Sequence, residues 1–191
     1  MNQKVDVVVI GAGAAGLMCA AEAGKRGRRV LVLDHAKKPG RKILISGGGK
    51  CNFTNYDVSA NNYLCQNPHF VKSALSQYTN WDFISLVSKY GIEFEERDHG
   101  QLFCLESAKD IVKMMLSECE SPNIQFRYQT DVHSIEKTEQ GFSLHADTDT
   151  IECDSLVVAQ VAFQCQNWAR RRLAIRLLSS LVWKSCRRQQ V

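Results

Sequence analysis

Two short segments carry residue types at spacings suited to chemistry, and both are built on glycine. The first is GAGAAG at residues 11–16, in which Gly11, Gly13 and Gly16 fit G-x-G-x-x-G, with Asp34 standing 23 residues beyond Gly11. Each glycine has a task in holding a dinucleotide: Gly11 permits a tight turn, Gly13 admits a pyrophosphate to the backbone, and Gly16 lets a helix pack close to a sheet. The helix that opens there offers unpaired N–H groups and the positive end of its dipole to phosphates. Asp34 is placed to accept hydrogen bonds from an adenosine ribose. The second segment is SGGGKCN at residues 46–52. Three successive glycines cost backbone entropy and add nothing to a core. They read either as a glycine-rich bend or as a loop whose bare N–H groups approach a cofactor or form an anion nest.

The elements that must position these segments are legible around them. VDVVVI at 5–10 is a short β-branched run, the pattern of a parallel strand buried on both faces. LMCAAEAGKRG predicts a helix ended by Gly27, and RVLVLD predicts a second strand ending at Asp34. The alternation in GAGAAG leans toward FAD, although the fingerprint alone does not separate FAD from NAD. Lys37 and Lys38 suit either a 2′-phosphate or, more simply, two solvated loop positions. Pro39 and Gly40 mark a turn, and KILIS at 42–46 is too short and too glycine-bounded to predict a helix.

Further along, HFVKSALSQY and NWDFISLVSKYG predict amphipathic helices, the second ended by Gly91. IEFEER and QLFC flank Asp98, His99 and Gly100 as a hairpin would, and SAKDIVKMMLSECE predicts a helix capped by Ser107. The runs IQFRY, DVHSIEKT, GFSLHAD and TIECDSLVVA predict a small antiparallel sheet returning to a buried strand at 156–159. His99 is expected in a turn, and His133 and His145 on exposed strand positions. No Ser-His-Asp set, H-E-x-x-H or P-loop is present, so no side chain is assigned as a catalytic acid, base or nucleophile. Eight scattered cysteines, with no C-x-x-C pair, read as small buried hydrophobes; neither a disulfide framework nor a metal site is expected.

GAGAAG followed by KKPGRKILISGGGKCNFTN, and then NPHF, WDFI, GQLFC and LVVA, resembles the bacterial NAD(P)/FAD-dependent flavoproteins of the aminoacetone oxidase type. The resemblance covers residues 4–159, and the S-G-G-G-[KR]-C-N segment is its most specific part. It implies an α/β, Rossmann-like FAD-binding domain, a parallel sheet with helices, plus a small antiparallel β element. It also implies FAD as cofactor, with NAD(P)H as candidate electron donor, and an oxidoreductase acting on a small molecule of unknown identity. Gly11, Gly13, Ala14, Ala15, Gly16, Asp34, Arg41, Ser46, Gly47, Gly48, Gly49 and Asn52 are the cofactor-binding residues it implies. On this reading the triplet lets backbone press against the flavin, and Cys51 beside it packs.

Residues 160–191 stand apart. They hold seven of the 24 Lys and Arg residues and none of the 20 Asp and Glu, so residues 1–159 carry a net charge of −3 within a total of +4. The resembled family continues LVVA with T-G-G, whereas here Gln160 follows Ala159. One adenine restored between those two codons allows QVAFQCQNWARRRLAI to be reread as TGGLSMPKLGATPFGY. The expected organisation is therefore the N-terminal part of an FAD/NAD(P)-binding domain over 1–159 and an aberrant, frameshifted basic tail over 160–191, incomplete relative to the family. Two alternatives stand beside it: a remnant without function, and a genuine basic amphipathic helix for an anionic membrane or nucleic acid. The main reading expects no nucleic-acid partner and no membrane. A cytoplasmic setting follows from the lack of a membrane-length apolar run or leader-like N-terminus.

Overall fold

The computed structural model describes residues 2–160, and the expectations for 161–191 lie outside those residues. In chain order the elements are β1 (Asn2–Ile10), α1 (Ala14–Lys25), β2 (Val30–Asp34), α2 (Arg41–Ile45), β3 (Asn52–Asn55), α3 (Lys72–Gln77) and α4 (Asn80–Lys89). β4 (Phe94–Arg97), β5 (Gln101–Cys104), α5 (Ala108–Glu118), β6 (Ile124–Tyr128), β7 (Val132–Thr138), β8 (Gly141–Ala146) and β9 (Asp149–Val158) follow. They form two units, one from residues 2–39 with 118–160 and the other from Gly40–Ser117.

The first unit is a six-stranded sheet in the order β6-β2-β1-β9-β8-β7. The β-branched run of β1 lies at its centre, parallel to β2 through Val7–Val30 and Ile10–Leu33 and parallel to β9 through Val7–Ser155 and Ile10–Val158. Val8, Ile10, Leu31, Leu33, Leu144 and Ile151 form the core of one face, all essentially without solvent exposure. α1 buries Leu17, Ala20, Ala21 and Gly24, and a Cβ at Gly24 would collide with the Ile124 side chain. Small residues on α1 thus set how closely the crossover helix approaches β6. Asp6 fastens the start of the unit: its carboxylate accepts from the Arg29 amide at 2.8 Å and guanidinium at 2.7 Å, which holds its pKa below the usual carboxylate range.

Two expectations change here. IQFRY is not part of the antiparallel group: β6 pairs parallel to β2, from Val30–Ile124 to Asp34–Tyr128. It follows the helix α5 rather than a tight turn, and a helical connection is what parallel entry requires. The antiparallel strands β7, β8 and β9 are real but share this sheet, because β9 pairs antiparallel with β8 and parallel with β1. Residues 156–159, expected to be buried, are half-buried among the described residues.

The second unit holds the small antiparallel sheet, β3-β5-β4, with the hairpin turn at Asp98–Gly100 where the sequence places it. Phe53 packs edge-on against Phe94 at 5.5 Å and tilted against Phe83 of α4 at 6.0 Å. α4 opens with a reciprocal cap in which Thr79 Oγ1 accepts from the Asp82 amide and Asp82 accepts from the Thr79 amide at 2.7 Å. Ser107 caps α5 by accepting from the Lys109 amide at 3.2 Å. The KILIS expectation is corrected: Arg41–Ile45 makes one α-helical turn, closed by the Leu44 amide on the Gly40 carbonyl at 3.0 Å. Gly40 at φ 69° enters that turn with a conformation other residues resist.

Leu144 lies fully inside the first unit and His133 on its surface. Leu144→Ala is expected to cost about 2–5 kcal/mol in urea unfolding and His133→Ala no more than about 0.5 kcal/mol.

Candidate functional site

In the first unit the three parallel strands β2, β1 and β9 end together. The Gly11 amide donates to the Leu33 carbonyl at 2.7 Å and the Ala159 amide to the Ile10 carbonyl at 2.8 Å. The chain then turns at Gly11, whose φ is 112° and whose missing Cβ would stand 2.9 Å from the Ala159 carbonyl oxygen. Gly16 is packed harder still: a Cβ there would overlap the Gly11 carbonyl oxygen and touch the Ala159 Cβ at 3.4 Å. The strand-to-helix corner exists only because both positions are glycine.

Gly13 differs from its neighbours. It is the residue before α1, in an extended conformation that any residue adopts, and nothing lies within 4 Å of where its Cβ would be. Its bare Cα faces open space beside the first-turn amides of α1, and Ala14 and Ala15 in that turn are exposed. No acid occupies the first turn of α1 itself, so its own side chains leave the positive end of the helix dipole free for an anion. This cradle, which a side chain would fill, fits a pyrophosphate.

Asp34 closes the cradle from β2. Its Oδ2 accepts from the Ala12 amide at 2.6 Å and its Oδ1 from the Ala36 amide at 2.8 Å, with His35 Nδ1 3.5 Å from Oδ1. The carboxylate therefore splints the glycine loop to the loop after β2. An ionised carboxylate has about four acceptor sites, which leaves capacity for ribose hydroxyls. Neither the Ala12 nor the Ala36 amide was predictable, since a backbone donor leaves no mark in a sequence. Tyr128, paired with Asp34 across β2 and β6, was also missed; burial, and then the Asp34 charge, pushes its hydroxyl pKa up. Lys37 and Lys38 are exposed, as solvated loop lysines would be.

The remaining implied residues gather in the Gly40–Ser117 unit. Ser46–Gly49 is a tight turn with Gly47, Gly48 and Gly49 at φ 54°, 65° and 88°. A left-handed run of that length is open to glycine and strained for other residues. Gly47 also leaves room for the Phe103 ring, 2.6 Å from its absent Cβ, whereas Gly48 borders open space. Ser46 Oγ donates to the Ile43 carbonyl at 2.8 Å, and the Cys51 amide donates to the Ser46 carbonyl at 3.1 Å. Lys50 was not singled out from the sequence, yet its Nζ donates to the carbonyls of Leu105 and Glu106 at 2.6 and 2.8 Å and so ties the turn to the end of β5. Asn52 directs its amide at the carbonyls of Thr54 and Leu102, 3.0 and 3.3 Å away, within its own sheet. Arg41 is exposed at the start of α2.

Cys51 is buried, and burial raises its thiol pKa. Cys104 follows the ladder residue opposite Asn52 and is pushed up to about 11, by burial first and by Cys51 second. A neighbouring cysteine therefore exists, but both thiols are held protonated, which suits packing better than nucleophilic chemistry. Among the described residues no group of His, Cys, Asp and Glu is placed to hold a metal ion, and no helix is long and apolar enough to cross a membrane.

The parallel sheet and the glycine corner, with Asp34 beside it, define a Rossmann-like domain. The chain belongs to the HI0933-like protein Rossmann domain family, whose model matches residues 5–167. It is 55% identical over 157 residues to a protein of Escherichia coli (strain K12) named ribosomal RNA dihydrouridine synthase, a match covering 82% of this chain and 39% of that protein. A protein of the same name from Haemophilus influenzae is 50% identical over 163 residues, covering 83% of this chain and 41% of the relative. The chain thus spans about two fifths of the length of these relatives. Among solved structures, 3-ketosteroid-Δ4-(5α)-dehydrogenase from Rhodococcus jostii RHA1 shares the fold with a TM-score of 0.59 at 15% identity, over 82% of this chain and 45% of that one. The expectation of no nucleic-acid partner is overturned by these names, because both relatives are named for action on ribosomal RNA. That expectation followed from reading the basic residues of 160–191 as the product of a shifted frame.

Gly13→Ala places a methyl in open space and Gly16→Ala places one on a carbonyl. The first is expected to leave unfolding stability within about 0.5 kcal/mol while weakening FAD binding at least tenfold; the second is expected to cost more than about 2 kcal/mol in stability. Urea unfolding and flavin titration of both variants check this.

Proposed function

We propose that this chain is the FAD-binding part of a flavin-dependent reductase that saturates a pyrimidine base in ribosomal RNA, with NAD(P)H as electron donor. The observation that carries the flavin half is the empty Cβ position of Gly13 beside the α1 N-terminus and the Asp34 carboxylate. The RNA half rests on the names of the relatives at 55% and 50% identity. Those names favour RNA over the small-molecule oxidation that a resemblance to the aminoacetone oxidase type implies.

When bound, FAD supplies hydride chemistry: a hydride taken from NAD(P)H and delivered, with a proton, across a C=C bond of the base. The chain's own contribution is binding and orientation. The amides of Gly13, Ala14 and Ala15 hold the pyrophosphate, and Asp34 holds the ribose while its two backbone contacts keep the glycine loop in place. In the Gly40–Ser117 unit, the turn from Ser46 to Gly49, with Arg41 and Asn52, is the second stretch that the resemblance implies for the cofactor, and Gly47 and Gly48 are exposed there. In this reading residues 1–159 are the N-terminal part of the FAD/NAD(P)-binding domain, 160–191 are an aberrant basic tail, and the setting is cytoplasmic.

The test is an absorbance titration of the purified chain with FAD and, separately, a filter-binding titration with unmodified ribosomal RNA. Saturable flavin binding and saturable RNA binding are expected. A colourless chain that binds no FAD overturns the reading.

A further inference from the structure

The glycine turn of the Gly40–Ser117 unit poses a problem of order. Glycine visits left- and right-handed conformations about equally, so three in a row have no preference of their own for a single shape. Yet Gly47, Gly48 and Gly49 are all left-handed, at φ 54°, 65° and 88°. Packing holds only the first of them, where Gly47 rests against the Phe103 ring. Nothing lies within 4 Å of the absent Cβ of Gly48, and only the Leu44 carbonyl oxygen, at 4.0 Å, approaches that of Gly49. The shape of the turn must therefore be imposed from its ends.

The first end closes on itself. The Cys51 amide donates to the Ser46 carbonyl at 3.1 Å, and the Ser46 hydroxyl donates to the Ile43 carbonyl at 2.8 Å. Lys50 ties the second end to different elements. Its amide donates to the Gly47 carbonyl at 3.3 Å, and its carbonyl accepts from the Cys104 amide at 2.9 Å. Its ammonium spans to the chain between β5 and α5, donating to the carbonyls of Leu105 and Glu106 at 2.6 and 2.8 Å. That stretch is itself fixed, since the Leu105 amide donates to the Glu93 carbonyl at 2.9 Å and Ser107 caps α5. Hydrogen bonds from an ionised donor are roughly twice as strong as neutral ones. One residue thus joins the freest part of the unit to a firm part through both its backbone and its side chain.

We propose that Lys50 is the positioning residue for flavin binding, acting through the glycine turn that it latches. The inference rests on the flavin reading above, in which this turn is a cofactor stretch, and adds the residue that keeps the turn ready. A turn that is ordered only part of the time binds with an affinity reduced by that fraction, so removing the latch weakens the bound state without removing any group that touches the cofactor. The effect falls on FAD and spares ADP, because the ADP end is held at the Gly11–Gly16 corner with Asp34.

The test compares the full 191-residue chain with Lys50→Met, which keeps the length of the stem and removes its donors, and with Lys50→Arg, which keeps charged donors for the two carbonyls. FAD is titrated by flavin fluorescence and ADP by calorimetry. Lys50→Met is expected to weaken FAD binding about tenfold or more with ADP affinity unchanged, and Lys50→Arg to stay close to the parent. Equal FAD affinity in the parent and Lys50→Met overturns the proposal, and so does an equal loss for FAD and ADP, which reports general damage to the fold. Amide hydrogen exchange of the parent without ligand tests the latch even where Lys50→Met does not fold: protected Lys50, Cys51 and Cys104 amides are expected, and exchange of the Lys50 and Cys51 amides at the rate of an open chain overturns it. A parent chain that binds ADP but no FAD removes the flavin reading itself, and the latch with it.

Discussion

The rest of the first unit depends on one close approach, the contact of the Gly16 Cα with the Gly11 carbonyl. No side chain fits between them, and the Ala159 Cβ lies just beyond. That contact lets α1 begin directly over the end of β1, which aims its first amides at the space beside Gly13. It also requires β9 to finish alongside, because the Gly11 turn leans on the Ala159 carbonyl. Asp34 then locks the corner through the Ala12 and Ala36 amides. A binding cradle arises here from steric exclusion at two glycines and openness at a third.

The glycine triplet answers a different constraint. Gly47, Gly48 and Gly49 all hold positive φ, so the turn is built from conformation first and from bareness second. It is fixed at each end: the Ser46 hydroxyl and carbonyl hold the start, and the Lys50 ammonium holds the end against two carbonyls. Cys51 sits inside this frame as a protonated, buried thiol. The result is a turn whose backbone is exposed at Gly47 and Gly48 and fixed at both ends.

Much of this was legible in the sequence where one local rule governed the outcome. The run VDVVVI, the spaced glycines and the terminal Asp34 each constrain the same βαβ unit, so strand, helix, strand and acid agree with one another. The hairpin at Asp98–Gly100 and the cap at Ser107 are equally local. What was not legible depends on partners far away in the chain. IQFRY looks like any alternating strand, and only its pairing with β2 makes it parallel. The helical turn at Arg41–Ile45 is too short for periodicity to reveal. The backbone partners of Asp34 and the carbonyls gripped by Lys50 leave no trace in residue type. The nucleic-acid expectation turned on reading the basic tail as a shifted frame, and no residue type within 1–159 pointed to the ribosomal RNA for which the relatives are named.

The central claim is that the Gly11–Gly16 corner with Asp34 binds the ADP end of a dinucleotide. The most direct test is nuclear magnetic resonance of the backbone amides of the ¹⁵N-labelled chain during titration with ADP alone. The account predicts saturable shifts concentrated at Ala12, Gly13, Ala14, Ala15 and Asp34. Their absence in a folded chain, or shifts confined to residues outside this corner, would contradict it.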